Sequence, residues 1–345
     1  MASNISKEEI KNIIDEIERT FGIKDEIDVG QLNELLANEK IKEVVEMIGK
    51  QLGLPVSLNV QLTDKFETRQ IATTYESGGE GITAQVLIPG NLPFYGTKEL
   101  VNYPITVQIS PNCFQHPKSL FMVLAHELSH VLLHSIRYKE KDNEIYTDIL
   151  AMMHGFVSIY DKGRKVSKES QFLIYKSVET ITYGYLSDEQ FKFAKNQIYL
   201  KLRKARKDKE SLISKITLFT NLSVRLKKRM LLFNDLLDFI SKHYNNLHFS
   251  QVDALKITTF FQIGYIDRFE STQENLERMV SKIESHHFES SFANLANLGT
   301  YLEEMEKIIS EEKELYRQVE DNIWTIIKYL PLSYKIRKVF ELRKI

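Results

Sequence analysis

Apolar positions along this chain change their spacing twice. Between Val29 and Leu52 the residues Leu32, Leu35, Leu36, Ile41, Val44, Val45 and Ile48 recur at close to 3.6 residues, which predicts a helix ending at Gly53. An earlier helix starts at Ser6, where Ser6 and Glu9 make a capping box, and runs to about Arg19. From Leu54 the pattern becomes short, β-branched and bounded by Gly, Pro or Asn. VSLNVQL (56–62), ITAQVLIP (82–89) and PITVQIS (104–110) read as strands, with ESGGEG (76–81) as a loop or turn. The next helix begins near Pro117, a residue tolerated in a first helical turn.

After about residue 205 the strand signals stop. Leu212, Ile216, Phe219, Ser223, Leu226, Met230, Phe233, Leu237 and Ile240 step by fours and threes, with Ser223 the one polar member. A second seam runs through Leu295, Leu298, Leu302, Met305, Ile309, Glu312, Tyr316, Val319, Ile323, Ile326 and Leu330. Seams of this length must bury each other or a partner, so long antiparallel helices in a hairpin or bundle are expected, with Trp324 in the core. The basic stretch KLRKARKDK (201–209) reads as a solvated linker; the basic residues of SYKIRKVFELRKI (333–345) could meet nucleic acid or an acidic partner, and a helix end complementing its own dipole explains them as well. The resulting organisation is an N-terminal helical segment (1–38), an α+β domain (39–205) and an all-α accessory region (206–345).

Composition narrows the setting. With 345 residues, 43% hydrophobic, 27% charged and a net charge of −1, the chain has the make-up of a globular protein, with no general electrostatic draw towards nucleic acid or membrane. A single cysteine, Cys113, cannot form an internal disulfide, and the start MASNISKEEI lacks the apolar stretch of a signal peptide, so a cytoplasmic location is expected. No window approaches 18 uninterrupted apolar residues, so no membrane span is expected.

The chemistry concentrates in one place. FMVLAHELSHVLLH (121–134) would be a core helix but for HELSH. Residues four apart share a helical face, so His126 and His130 can offer imidazole nitrogens to one ion about 2 Å from each. Glu127 is turned by one residue, which sets it beside such an ion, in position to act as general base for a metal-bound water. A catalytic zinc takes three protein ligands, and DNEIYTDILAMM (142–153) supplies two candidates on one helical face, Glu144 and Asp148, with Asp142 or Asn143 placed to cap that helix. A metzincin arrangement is excluded, since its glycine and third histidine would fall on Leu133 and Ile136. His134 lies about 12 Å along the helix from His126, too far to share the ion.

HELSH followed by NEIYTD resembles the HExxH…ExxxD pattern of the gluzincin clan of zinc metallopeptidases, and the similar region extends over roughly 39–200 to include YGYLSDEQFKFA (183–194). The resemblance implies that Glu144 is the third zinc ligand and that Asp148 orients His126. It implies a small zincin-like sheet carrying the HExxH helix and the third-ligand helix, one zinc per chain, and hydrolysis of a peptide bond with Glu127 as base. In this clan an extended substrate pairs with the edge strand beside the metal helix, here ITAQVLIP or PITVQIS. An oxyanion donor is also expected; Tyr183, Tyr185 and His154 are the downstream candidates, His154 being out of phase with Glu144 on a continuous helix. The partner implied by the resemblance is a peptide or protein substrate; the resemblance does not reach 206–345, whose seams point separately to a second copy or a protein partner. The alternative is a non-catalytic scaffold in which the metal staples two helices and the bundle binds a partner.

Overall fold

A computed structural model describes residues 5–63, 84–172, 175–243, 247–288 and 298–344; the segment 76–81 and Leu295 lie outside them. The chain is mostly helical with a small mixed sheet, and it divides into two compact units, one holding Met1–Arg206 and the other Lys207–Glu284 with Asn297–Ile345.

The first unit opens with α1 (Lys7–Phe21), where the capping box forms: Glu9 N donates to Ser6 Oγ, and Ser6 N to Glu9 Oε2. Ile10, Ile14, Ile17 and Phe21 carry its apolar face into the core that also surrounds the sheet. The stretch expected as one helix over 29–52 is two, α2 (Val29–Ala37) and α3 (Ile41–Leu52). Glu39 adopts φ +59°, so Lys40 N turns back to Leu35 O and the helix stops. Apolar spacing misses this turn because both helices bury their apolar residues on either side of it.

β1 (Ser57–Leu62) lies parallel to β3 (Pro104–Ile109), and β2 (Ala84–Leu87) lies antiparallel to it, giving the order β1-β3-β2. PITVQIS is therefore the central strand, and ITAQVLIP supplies one edge, VSLNVQL the other. Behind the sheet runs α4 (Pro117–Ser135), in which every residue from Ser119 to Leu133 is buried. A helix covered on all sides belongs to a core, so its polar residues must find partners there.

α5 (Glu144–Ala151) starts at Asn143, whose Oδ1 accepts from Ile145 N. The helix does not continue smoothly. A wide turn at Met152–Phe156 contains Gly155 at φ +97°, and a β-carbon there would stand 2.3 Å from Asp25 O. Only glycine fits that approach. After it come α6 (Val157–Gly163) and a hairpin of β4 (Lys165–Phe172) and β5 (Tyr175–Thr182). The mostly polar strands KVSKESQF and YKSVETIT lack a marked apolar alternation, and the sequence reading passes over them.

α7 (Asp188–His243) begins in this unit. KLRKARKDK lies within it rather than forming a linker: Leu202 and Ala205 are buried, and Lys201 reaches Asp15 and Glu18.

In the second unit the remainder of α7 packs with α8 (Gln251–Gln262), α9 (Tyr265–Phe288), α10 (Leu298–Ile327) and α11 (Leu332–Lys344). Lys215–Glu306, Ser223–Glu312 and Arg229–Glu320 contacts rise together in number, so α7 and α10 run parallel, not antiparallel as expected. α9 supplies the opposite direction, through Arg268–Gln318 and Thr272–Glu312. Leu226, Phe233, Val319, Ile323 and Ile326 form the core. Trp324, expected inside, is 41% exposed, because Ile323 and Ile326 take the inward positions. No helix among the described residues is long and apolar enough to cross a membrane.

The two polar seam positions meet. Ser223 Oγ donates to Glu312 Oε1 at 2.7 Å, and Gln273 Nε2 donates to Ser223 Oγ at 2.9 Å. Thr272 Oγ1 lies 2.6 Å from Glu312 Oε2 and 2.8 Å from Phe269 O. The Thr272 hydroxyl can donate to either acceptor, and Gln273 Nε2 also reaches Glu312 Oε1 at 3.4 Å. Burial raises the Glu312 carboxyl above its ordinary 4.5, against the lowering effect of the two hydroxyls. A native carboxyl raised in this way loses stability as pH climbs past about 4.5, since the folded state then holds the extra proton. Glu312→Gln should therefore melt higher than wild type at neutral pH, with the gain vanishing near pH 4; an equal gain at both pH values would show that ionisation of Glu312 is not the cause.

Candidate metal centre

The site is built by bringing a second helix to the histidine face of α4. His126 Nε2 lies 2.9 Å and His130 Nε2 3.2 Å from the same oxygen, Glu144 Oε2. The ligand atoms of these three residues all lie within 4.8 Å of one another. The group could therefore hold a metal ion.

Both imidazoles are held from behind. His126 Nδ1 meets Asp148 Oδ1 at 2.8 Å, and His130 Nδ1 meets the Lys141 carbonyl at 3.2 Å, with Thr147 Oγ1 at 3.4 Å. With a proton on each Nδ1 shared with these acceptors, each Nε2 would be free to offer its lone pair to an ion placed between the imidazoles and Glu144. This is the arrangement that metal-binding histidines use to fix tautomer and ring direction. Asp148 sits behind His126, so of the two acidic candidates Glu144 is the one that joins the histidines.

Asp148 gathers more than one donor. Tyr160 OH donates to its Oδ1 at 3.0 Å, and Tyr185 N to its Oδ2 at 2.8 Å. The latter depends on Gly184 at φ +90°, whose missing side chain also leaves room beside Asp148 Oδ2. The Tyr185 ring then stacks on His126, centroids 5.6 Å apart.

The charges respond to this company. Burial alone would lower the His126 pKa, but Asp148 and Glu144 raise it well above the usual range. Burial would raise Glu144, yet the two imidazoles hold its carboxyl well below the usual range. Without an ion, these residues neutralise one another.

Glu127 is buried beside the cluster without joining it, and its Oε2 accepts from Val86 N of β2 at 3.3 Å. The remaining candidates separate. Tyr185 lies against the site, whereas Tyr183 is buried and donates its backbone N to Arg164 O. His154 falls in the Gly155 turn and packs against Phe21, where burial pushes its pKa well down. It does not belong to the His126 group. His134 pairs with Asp142 at 3.2 Å, away from the ligands.

Sequence reasoning missed Tyr160, Thr147 and the Lys141 carbonyl. Thr147 was within reach, three residues after Glu144 and so on its face. Tyr160 had no signal, because its approach depends on the turn at Gly155. An outer tie was also missed: Glu16 of α1 accepts from Tyr138 OH and from Tyr146 OH at 2.9 Å, bracketing the stretch that carries Lys141 and Glu144.

Comparison with protein-family models, with curated proteins and with solved structures finds no match to this chain.

Two outcomes are expected. Protein purified without added metal and analysed by mass spectrometry should hold about one divalent ion per chain, lost or greatly weakened in His126→Ala and Glu144→Ala; full retention by both would remove the assignment. Asp148→Asn should weaken metal binding by about 10- to 100-fold in a chelator competition, since an amide can no longer serve as the charged acceptor behind His126. Unchanged affinity would reduce Asp148 to a packing residue.

Proposed function

We propose that this chain is a zinc metallopeptidase of gluzincin type, with His126, His130 and Glu144 as metal ligands and Glu127 as general base. The observation that carries this reading is the division of labour on α4. Three side chains converge on one point, both histidines are held through Nδ1, and an intact glutamate stands beside the point instead of occupying it. A metal serving only to staple helices has no chemical need of that base and usually fills all four positions with protein ligands. The His-His-carboxylate set favours zinc among common divalent ions, and a bound zinc would lower the pKa of a coordinated water towards about 7 and polarise a carbonyl.

The other steps fall to the chain itself. Glu127 takes a proton from the attacking water and delivers it to the leaving amine. Its carboxylate accepts from the Val86 amide of β2, one of the two edge strands of the sheet among the described residues, so an extended peptide lying along β2 passes within reach of the base. Asp148 keeps His126 in the tautomer that presents Nε2, while Lys141 O does the same for His130. Tyr185, whose ring stacks on His126, is our choice of hydrogen-bond donor to the developing oxyanion.

Glu127→Gln should retain metal but lower peptide hydrolysis by about 10²- to 10⁴-fold, followed by mass spectrometry on a mixed peptide library. Wild-type rates from a metal-loaded Glu127→Gln protein would sink the proposed role. Metal-loaded wild type that cuts nothing in the library would favour the scaffold reading.

A further inference from the structure

α11 carries apolar residues on two opposed faces. Tyr334, Lys338 and Leu342 face the bundle: Lys338 and Leu342 are buried, and the Tyr334 ring stacks on Phe239 with centroids 4.1 Å apart. Two residues away, or about 200° around the helix, Leu332, Ile336 and Phe340 form a second stripe that is 73%, 50% and 58% exposed. A lone exposed leucine calls for no account. Three large apolar side chains on successive turns of one helix do.

The stripe is bordered by positive charge. Lys335 lies on one side, Arg337 and Lys344 on the other, and Arg343 at its end. The helix has one acidic residue, Glu341, and it is engaged by Arg337 and Lys338. This concentration of cations occurs in a chain whose net charge is −1.

We propose that the outer face of α11 is a membrane-surface contact that lies in the headgroup region of an anionic bilayer. Leu332, Ile336 and Phe340 enter the boundary with the acyl chains, while the long stems of the flanking lysines and arginines let their heads meet lipid phosphates. The charge pattern selects this occupant. A second copy docking through the same face would set like cations against each other. Nucleic acid would engage the cations and leave the stripe in water. An anionic lipid surface answers both at once, and the contact lies along the bilayer surface without crossing it.

Flotation of the full chain with vesicles tests this. The wild type should float with vesicles of phosphatidylcholine containing one-quarter phosphatidylglycerol, not with phosphatidylcholine alone, and should be released as salt is raised. Ile336→Ser with Phe340→Ser, and separately Arg343→Glu with Lys344→Glu, should each lower the bound fraction about tenfold or more while leaving the far-UV circular dichroism unchanged. These side chains are exposed, so neither variant removes a core contact. No flotation with anionic vesicles, or flotation unaffected by the Ile336/Phe340 pair, overturns the proposal. So does a dimer in analytical ultracentrifugation that this pair dissolves, which assigns the face to a second copy. Retention on polyglutamate without vesicle binding overturns it too, in favour of an acidic protein.

Discussion

A carboxylate that is 1% exposed needs partners for both oxygens, and Asp148 obtains them from three separate stretches of chain. Asp148 stands on α5, His126 on α4, Tyr160 on α6, and the Tyr185 amide on the turn that precedes α7. To satisfy this one side chain, α5 must lie along the histidine face of α4, the helix must turn at Gly155 so that α6 returns, and Gly184 must take positive φ. Each of these requirements also places something else: Glu144 against both histidines, and the Tyr185 ring on His126. Aligning two imidazoles for a metal is thus inseparable from solving the hydrogen bonding of a buried acid.

The centre of this arrangement was legible in the sequence because it rests on intervals. Four residues between histidines, and four between Glu144 and Asp148, translate directly into shared helical faces. So did the seams of the second unit, whose two polar interruptions, Ser223 and Glu312, prove to be mutual partners. What could not be read depends on single backbone conformations. The positive φ of Glu39 divides one periodic stretch into two helices, and that of Gly155 carries His154 away from the ligands. Neither turn leaves a trace in apolar spacing. Direction was also illegible: a heptad-like seam is the same read either way, so the parallel course of α7 and α10 emerges only from paired contacts such as Lys215–Glu306 and Arg229–Glu320.

The two units use buried carboxylates in opposite senses. In the first, Asp148 and Glu144 face imidazoles, and the site as a whole gains from their negative charge. In the second, Glu312 is surrounded by hydroxyls and an amide with no cation among the partners named, so the neutral acid is the form that suits it. A polar layer of this sort among apolar seam residues favours the one register in which every member is paired.

The three ligands differ in their access to water. The His126 and His130 side chains are 3% and 7% exposed on a helix buried from Ser119 to Leu133, whereas the Glu144 side chain is 21% exposed at the first turn of a helix of eight residues. An ion held by these residues would therefore exchange with the surroundings through the carboxylate. Swinging Glu144 outward is a local rearrangement of one helix end, while freeing the imidazoles would require α4 to leave the core. For a metal held by these three residues, the residence time would follow the opening of the first turn of α5 rather than the lifetime of the fold.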